Sequence, residues 1–371
     1  MKIVHIINSL EVGGAERSLE RLVANSKKFE HVVISLRNSG PIRDVLENRS
    51  IAVYCINFTI KNFIRKFIRL INIIRKEKPI LVQTWLYHAN FIGGFAARLS
   101  GVKKVVWCIR TTHLPKGAFT TLILRAISVP VSFFIPDKIV YVAKRSATYH
   151  SKIGFDNRKG AIINNGIPMD MLISKPGAEI NFLKNHHKKV YVIGFIGRDS
   201  HDKGVDIFLN SCLKISAVIE NAMFLMVGRG LSPNNKAISE FLIKNKIKDK
   251  FVLKGQVPDV TPYLRFMDIF CLTSRTEGFP NVLAEAMLLG VPSVSTDVGD
   301  AEIISSGLVP ICAINDSTKI ANEVMKIIRL PEASKKELSK SLSQHISRNY
   351  SINMMVNNFE VLYENIINKA R

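Results

Sequence analysis

No Cys-x-x-Cys pair occurs in this chain, and its five cysteines (Cys55, Cys108, Cys212, Cys271, Cys312) are scattered, mostly in apolar runs. That excludes a zinc ribbon or a disulfide frame and fits buried thiols in a reducing compartment. No run of about 18 uninterrupted apolar residues is present, so no membrane-spanning helix is expected. The amino terminus enters a short apolar run, Ile3–Ile7, and lacks the longer apolar core and small-residue cleavage site of a signal peptide. The Gly-Lys-Ser/Thr order of a Walker loop is missing, and so is the Gly-x-Gly-x-x-Gly of nicotinamide binders. No Asp-x-Asp metal signature, zinc finger, basic zipper or aromatic RNA-binding motif appears either.

Acidic residues are scarce in the first half. Residues 1–185 hold 29 Lys+Arg against 11 Asp+Glu, a balance of +18, whereas the remaining residues hold 23 against 19, or +4. The excess positive charge is therefore regional, and it points to an anionic partner for that half: nucleic acid, a phospholipid surface or a diphosphate-linked substrate.

Short apolar runs alternate with helical patterns along the whole chain. Strands are expected at Ile3–Ile7, His31–Leu36, Ala52–Ile56, Ile80–Thr84, Lys104–Ile109, Lys138–Val142 and Gly160–Asn164, then at Val190–Ile196, Ala222–Val227, Lys250–Lys254, Ile269–Thr273, Ser293–Thr296 and Val309–Cys312. Helical patterns lie between them, near 15–26, 41–48, 60–77, 89–99, 118–131 and 144–153, and near 203–219, 234–246, 281–289, 316–328, 333–347 and 352–369. Such alternation implies parallel sheets covered on both faces. The pattern breaks at the turn Asn165-Gly166-Ile167-Pro168 and through polar Ser174–Lys189, which reads as a linker. The fold class expected is α/β: two Rossmann-like doubly wound domains, 1–175 and 188–350, facing a central crevice, with the last helix in 351–371 packing back on the first domain.

Four segments sit where strand ends meet that crevice. The longest runs Ser274-Arg275-Thr276-Glu277-Gly278-Phe279-Pro280-Asn281-Val282-Leu283-Ala284-Glu285-Ala286. It follows a strand and opens a helix, whose amino-terminal N–H groups suit phosphate oxygens. A carboxylate at Glu285 can accept two hydrogen bonds from a ribose diol, and one at Glu277 can accept from sugar hydroxyls. Two acids alone would more often be a solvated loop acid and a helix-dipole carboxylate. The second segment, Gly197-Arg198-Asp199-Ser200-His201-Asp202-Lys203-Gly204, places a guanidinium and an ammonium at one strand end. The third, Gly13-Gly14, lets backbone approach a ligand closely. The fourth comprises His88 after one strand and Arg110 and His113 after the next.

The first of these segments, continued by Gly290-Val291-Pro292-Ser293, resembles the Glu-x7-Glu signature of the retaining glycosyltransferases of family 4, the glycosyl transferases group 1. The resemblance spans nearly the whole chain and is tighter in the second half. It implies the GT-B fold and transfer of a hexose-type or N-acetylhexosamine sugar from a nucleotide diphosphate donor, with UDP or GDP as carrier. It also implies retention at the anomeric carbon, no metal and no cofactor. By that resemblance Glu285 binds the ribose, Glu277 contacts the sugar near its reactive carbon, and Arg198 and Lys203 stabilise the departing diphosphate. Gly13, Gly14, Gly197, Gly278, Phe279, Asn281, Val282, Leu283, Gly228 and Val257 would line the donor. Relatives carry a His where Arg110 stands, so either Arg110 or His113 is the expected sugar contact. Relatives that build bacterial surface glycans use polyprenyl-diphosphate acceptors, which fits a basic first domain on the inner face of the plasma membrane.

Thr59–Lys78 adds a basic amphipathic helix, with Phe63, Ile64, Phe67, Ile68, Ile71 and Ile74 at helical spacing and Lys61, Arg65, Lys66, Arg69, Lys76 and Lys78 mostly elsewhere. It reads either as a crossover helix with a solvated face or as a surface for anionic lipid. The apolar stretch Ala118–Ile135 is either core or flanks a lipid-linked acceptor. Two rivals remain. An epimerase on the same fold conflicts with Glu-x7-Glu. A nucleic-acid-binding protein explains the charge but leaves the motifs idle, so no nucleic acid is expected as partner.

Overall fold

The computed structural model describes all residues except 38, 113, 115–118, 174–189 and 369–371. The expected linker Ser174–Lys189 and His113 therefore lie outside the described residues. The chain divides into two compact units, Met1–Gly166 with Tyr350–Arg371, and Ile167–Asn349.

The first unit begins as a seven-stranded sheet: β1 (Lys2–Ile7), β2 (Glu30–Ser35), β3 (Ala52–Cys55), β4 (Leu81–Trp85), β5 (Val105–Ile109), β6 (Lys138–Tyr141) and β7 (Gly160–Ile162). Their order is β3-β2-β1-β4-β5-β6-β7, and every pair is parallel. Strands covered on both faces are buried along their length, and the central ones are: five of the six β1 residues and all of β4 and β5 are buried, the polar His5, Gln83 and Thr84 included. The crossovers are α1 (Gly14–Asn25), α2 (Pro41–Glu47), α3 (Phe63–Glu77), α4 (Leu86–Leu99), α5 (Phe119–Val131) and α6 (Lys144–Lys152). Helix α4 begins about one turn before the periodicity suggests. Leu86 turns directly out of β4 at φ 72°, a left-handed conformation that costs a branched residue about 1–3 kcal/mol and commonly marks functional sites.

The second unit repeats the design with six strands: β8 (Tyr191–Ile196), β9 (Ala222–Val227), β10 (Phe251–Leu253), β11 (Ile269–Leu272), β12 (Ser293–Thr296) and β13 (Ile311–Cys312). The order is β10-β9-β8-β11-β12-β13, again all parallel. Its helices are α7 (Val205–Ser216), α8 (Lys236–Lys244), α9 (Thr261–Phe266), α10 (Asn281–Leu288), α11 (Ala301–Ser305), α12 (Ser317–Arg329) and α13 (Glu332–Asn349). Two of these, α9 and α11, are not expected from the sequence. They span six and five residues, too few for a 3.6-residue period to register.

The chain ends in α14 (Ile352–Asn368), which belongs to the first unit. Met355, Phe359, Tyr363 and Ile366 enter the core formed by Ile3, Ile7, Leu19, Leu22 and Trp85. The Tyr363 hydroxyl donates to Gln83 Oε1, and Glu360 Oε1 accepts from Ser26 Oγ at 2.8 Å. Each fully buried apolar side chain of this kind contributes about 1.5–3 kcal/mol.

Candidate functional site

In the second sheet β8 and β11 are neighbours although 72 residues of chain separate their ends. The connections run outward from them in opposite directions, through β9 and β10 on one side and β12 and β13 on the other. Ligands in open α/β sheets collect at such a reversal, outside the carboxyl ends of the strands. The loop after β8 and the loop after β11 meet there. Arg275 N donates to Asp202 O at 2.7 Å, and Thr273 Oγ1 donates to Gly204 O at 2.9 Å. Gly204 takes φ 64°, and a Cβ on it would come within 2.0 Å of Thr273 O, so only glycine lets the two loops close on each other.

This closure brings together two of the charged side chains singled out from sequence. Lys203 Nζ lies 2.6 Å from Glu277 Oε1, with the side chains 25% and 13% exposed. Ser274 Oγ donates to the same oxygen at 2.7 Å. The carboxylate is thus held by two donors from two loops, which fixes its direction as well as its charge. Arg198 is exposed next to Gly197 and takes no part in this pair. Glu285 is half-buried one turn into α10, whose N-cap residue, Pro280, makes no side-chain cap bond.

The flanking strands bring their loops to the same end. Gly197 N donates to Val227 O at 3.0 Å and Gly228 N to Gly255 O at 2.7 Å. Gly228 has φ 143°, and a Cβ there would sit 1.8 Å from Gly197 O. Val257 is half-buried two residues beyond Gly255. On the other side Asp300 N donates to Gly278 O at 3.3 Å. Phe279 and Leu283 are buried, so any ligand contact from them would come through backbone, whereas Asn281 and Val282 are half-buried.

The first sheet reverses between β1 and β4. Gly13 and Gly14 open α1 after β1, and Glu16 folds back so that its Oε2 would meet a Cβ on Gly13 at 2.3 Å. Burial raises the Glu16 carboxyl above its ordinary value. Across the reversal, Asn8 Oδ1 accepts from Ala89 N at 2.9 Å. His88 beside it is half-buried, and burial together with the Arg37 charge pushes its imidazole down. Arg110 is buried. It donates to Ser18 Oγ at 2.8 Å and to Asn165 Oδ1, contacts Cys108 Sγ at 3.7 Å, and lies 5.4 Å from the centre of the Trp85 ring. Its guanidinium is engaged by the body of the first unit, and burial lowers its pKa. Asn165, in the turn where the sequence pattern breaks, anchors that guanidinium.

Two family models match the chain. The model described as Glycosyltransferase Family 4 matches residues 12–171, and the one described as Glycosyl transferases group 1 matches residues 190–329. Together they take in most of both units. The chain belongs to this glycosyltransferase family. Among relatives, the UDP-Gal:alpha-D-GlcNAc-diphosphoundecaprenol alpha-1,3-galactosyltransferase of Escherichia coli is 21% identical over the whole of this chain and 98% of its own. The capsular polysaccharide biosynthesis glycosyltransferase CapM of Staphylococcus aureus is 21% identical over 83% of this chain and 82% of its own. Anabaena Alr3699/HepE in complex with UDP superimposes with a TM-score of 0.84 at 18% identity, covering 98% of this chain and all of that one. The likeness establishes the fold, GT-B, with its two doubly wound parallel-sheet domains.

Several polar residues that organise this end of the glycosyltransferase's second unit carry no role in the sequence reading. Ser274 bonds Glu277 directly. Thr296 Oγ1 donates to Ser274 O at 2.6 Å, bracing the turn from the neighbouring strand. Arg275 bridges to Asp206, Asn315 and His201 O. The only sequence signal for them is that polar residues directly follow a buried strand. A cavity of about 630 Å³ also opens in this unit, lined by Tyr191, Asp268, Pro292, Lys335 and Lys340 among others. It lies toward the amino ends of β8 and β11 and holds none of the site residues, so its size does not make it the reaction site.

Proposed function

We propose that this glycosyltransferase moves a hexose-type or N-acetylhexosamine sugar from UDP or GDP to a glycan acceptor carried on polyprenyl diphosphate, with retention and without a metal ion, in bacterial surface-polysaccharide synthesis. The observation that carries this reading is the Lys203–Glu277 pair at the sheet reversal, braced by Ser274. As the sugar leaves, negative charge grows on the diphosphate. Lys203, Arg198 and the N–H groups at the start of α10 stabilise that charge more in the transition state than in the bound donor. Glu277 orients the sugar, and Glu285 holds the ribose. Gly13, Gly14, Gly197, Gly228, Gly278, Phe279, Asn281, Val282, Leu283 and Val257 shape the donor site, largely through backbone. A donor phosphate oxygen takes the acceptor proton on the same face as the departing group. Arg110 positions the first unit's strand ends, and His113 is the remaining candidate for a sugar contact there.

Relatives support the substrate class. One is named for a diphosphoundecaprenol acceptor, and HepE has been solved with UDP-glucose as well as UDP. The acceptor's lipid is consistent with the outer layer of the first unit. Among the described residues no helix is long and apolar enough to cross a membrane. Instead, α3 buries Leu70, Ile73 and Ile74 while Phe63, Ile64 and Ile68 stay exposed, Ile64 by 76%. Phe119, Leu122, Ile123 and Ile127 of α5 are also exposed, as are Phe133 and Phe134 just beyond it. Lys61, Arg65 and Arg69 are exposed on or beside α3. Apolar side chains flanked by cations suit peripheral docking on anionic lipid at the inner face of the membrane.

The test is a thermal-shift screen with UDP and GDP, with and without EDTA, followed by transfer assays with labelled nucleotide sugars on lipid-linked acceptor extracts. Stabilisation that survives EDTA and an anomerically retained product are expected. Stabilisation only by oligonucleotides, or a product with inverted configuration, sinks the reading.

A further inference from the structure

We propose that Arg275 is a positioning residue that clamps the Lys203 turn to the Glu277 loop and so sets where the ammonium stands during transfer. Lys203 ends a single 3₁₀ turn, His201–Lys203. A lone turn of this kind rests on few bonds of its own, here Lys203 N to Ser200 O at 3.0 Å and Gly204 N to His201 O at 3.2 Å. Arg275 bonds it twice and ties it to two neighbouring elements. Its backbone N donates to Asp202 O at 2.7 Å, and its Nη1 donates to His201 O at 2.8 Å. The two terminal nitrogens then grip Asp206, in the first turn of α7, at 2.8 Å (Nη1 to Oδ1) and 2.5 Å (Nη2 to Oδ2). Its Nε donates to Asn315 Oδ1 at 2.9 Å, reaching the loop after β13. A planar five-donor fork suits this set of acceptors, which an ammonium could meet only in part. The Arg275 side chain is 17% exposed. Its side-chain acceptors are His201 O, Asp206 and Asn315, whereas Glu277 is bonded by Lys203 and Ser274. Arg275 thus acts on the reaction only through the loops it joins.

The proposal rests on Lys203 supporting the departing diphosphate. Small displacements of such a group cost turnover far more than ground-state binding, because the charge it meets grows only as the bond breaks. Arg275→Ala, Arg275→Lys, Asp206→Asn and Lys203→Ala would be compared with the wild-type full chain, using the nucleotide sugar that it turns over. In Arg275→Ala, kcat is expected to fall about 10- to 100-fold while the donor KM stays within about 3-fold. Arg275→Lys should recover part of that loss, and the Arg275→Ala/Asp206→Asn double variant should be no slower than Arg275→Ala alone. Hydrogen exchange read independently of turnover should show faster exchange at 200–206 and 274–277 in Arg275→Ala, with the rest of the second unit unchanged. Near-wild-type kcat, or unchanged exchange in those two segments, overturns the clamp. Wild-type turnover in Lys203→Ala overturns the parent reading instead, and the exchange data then still decide whether Arg275 holds the loops together.

Discussion

At the carboxyl ends of the second sheet, side chains bond within and between loops: Ser274 to Glu277 within one, and Lys203 to Glu277, Thr273 to Gly204 and Thr296 to Ser274 between neighbours. The outer layer of the first unit does the reverse and leaves Ile64, Phe119 and Phe134 in solvent, with Arg65 and Arg69 exposed on α3. One topology therefore carries two kinds of surface. A small anionic ligand such as a diphosphate is recognised by donors fixed in advance, because an ordered site loses less freedom on binding. A fluid, laterally uniform lipid surface requires no such order, and contact area with net charge is enough. The charge balance of +18 against +4 between the halves follows the same division.

The strongest way to break the comparison is to remove a part that only one unit contains. Phe359 of α14 is fully buried in the first unit's core. Phe359→Ala should destabilise that unit by about 3–5 kcal/mol. Denaturant melts should then show two transitions, the second unit unfolding unchanged. A single shifted transition would mean that the units unfold as one. Next in size, Lys203→Ala should lower kcat/KM about 100- to 1,000-fold, the range for removing one fixed donor beneath a developing charge. Circular dichroism and melting of the variant should remain those of the wild type, which separates lost chemistry from lost folding.

A smaller effect concerns pH and belongs to the first unit. His31 is buried on β2, where burial pushes its imidazole down to about 4. Its Nδ1 lies 2.9 Å from His5 Nε2, and the fully buried His5 is shifted down as well. A folded-state value below the free value of 6.5 means that protons prefer the unfolded chain. The contribution to stability is complete above about pH 6.5 and is lost as pH falls toward 4. From His31 alone roughly 1 kcal/mol should be gone by pH 5.5. His31→Asn should flatten the fall in Tm between pH 7.5 and 5.5, roughly the interval where the free imidazole titrates. An equal slope in both proteins would show that other groups set it.

Much of the architecture was legible in advance because parallel strands covered on both faces are rich in apolar residues, and each observed strand has bounds within two residues of an expected one. Short α9 and α11 were not legible, since five or six residues carry no period. At the site, Lys203 and Glu277 could be given roles individually, but Arg275 could not, although it stands two residues before Glu277, because its partner Asp206 lies 69 residues away. Periodicity likewise identifies the apolar stripe on α3 without saying how much of it the sheet covers. The sheet takes Leu70, Ile73 and Ile74 and leaves Ile64 and Ile68 outside.

The finest test concerns that leftover surface. Cations near lipid headgroups contribute about 1 kcal/mol each, so Arg65→Gln and Arg69→Gln should each weaken binding to phosphatidylglycerol vesicles roughly 5-fold at low salt. That loss should shrink as salt shortens the screening length. Replacing Ile64 or Phe134 by Ser should weaken binding at every salt concentration, because buried apolar area is not screened. Co-sedimentation across a salt series separates the two contributions. Equal binding to neutral and anionic vesicles would leave the basic face of α3 without a lipid role, while failure to bind either would assign the exposed apolar residues to another partner. In both cases the donor site proposed for the second unit's loops would stand untouched, since those loops share no residue with this face.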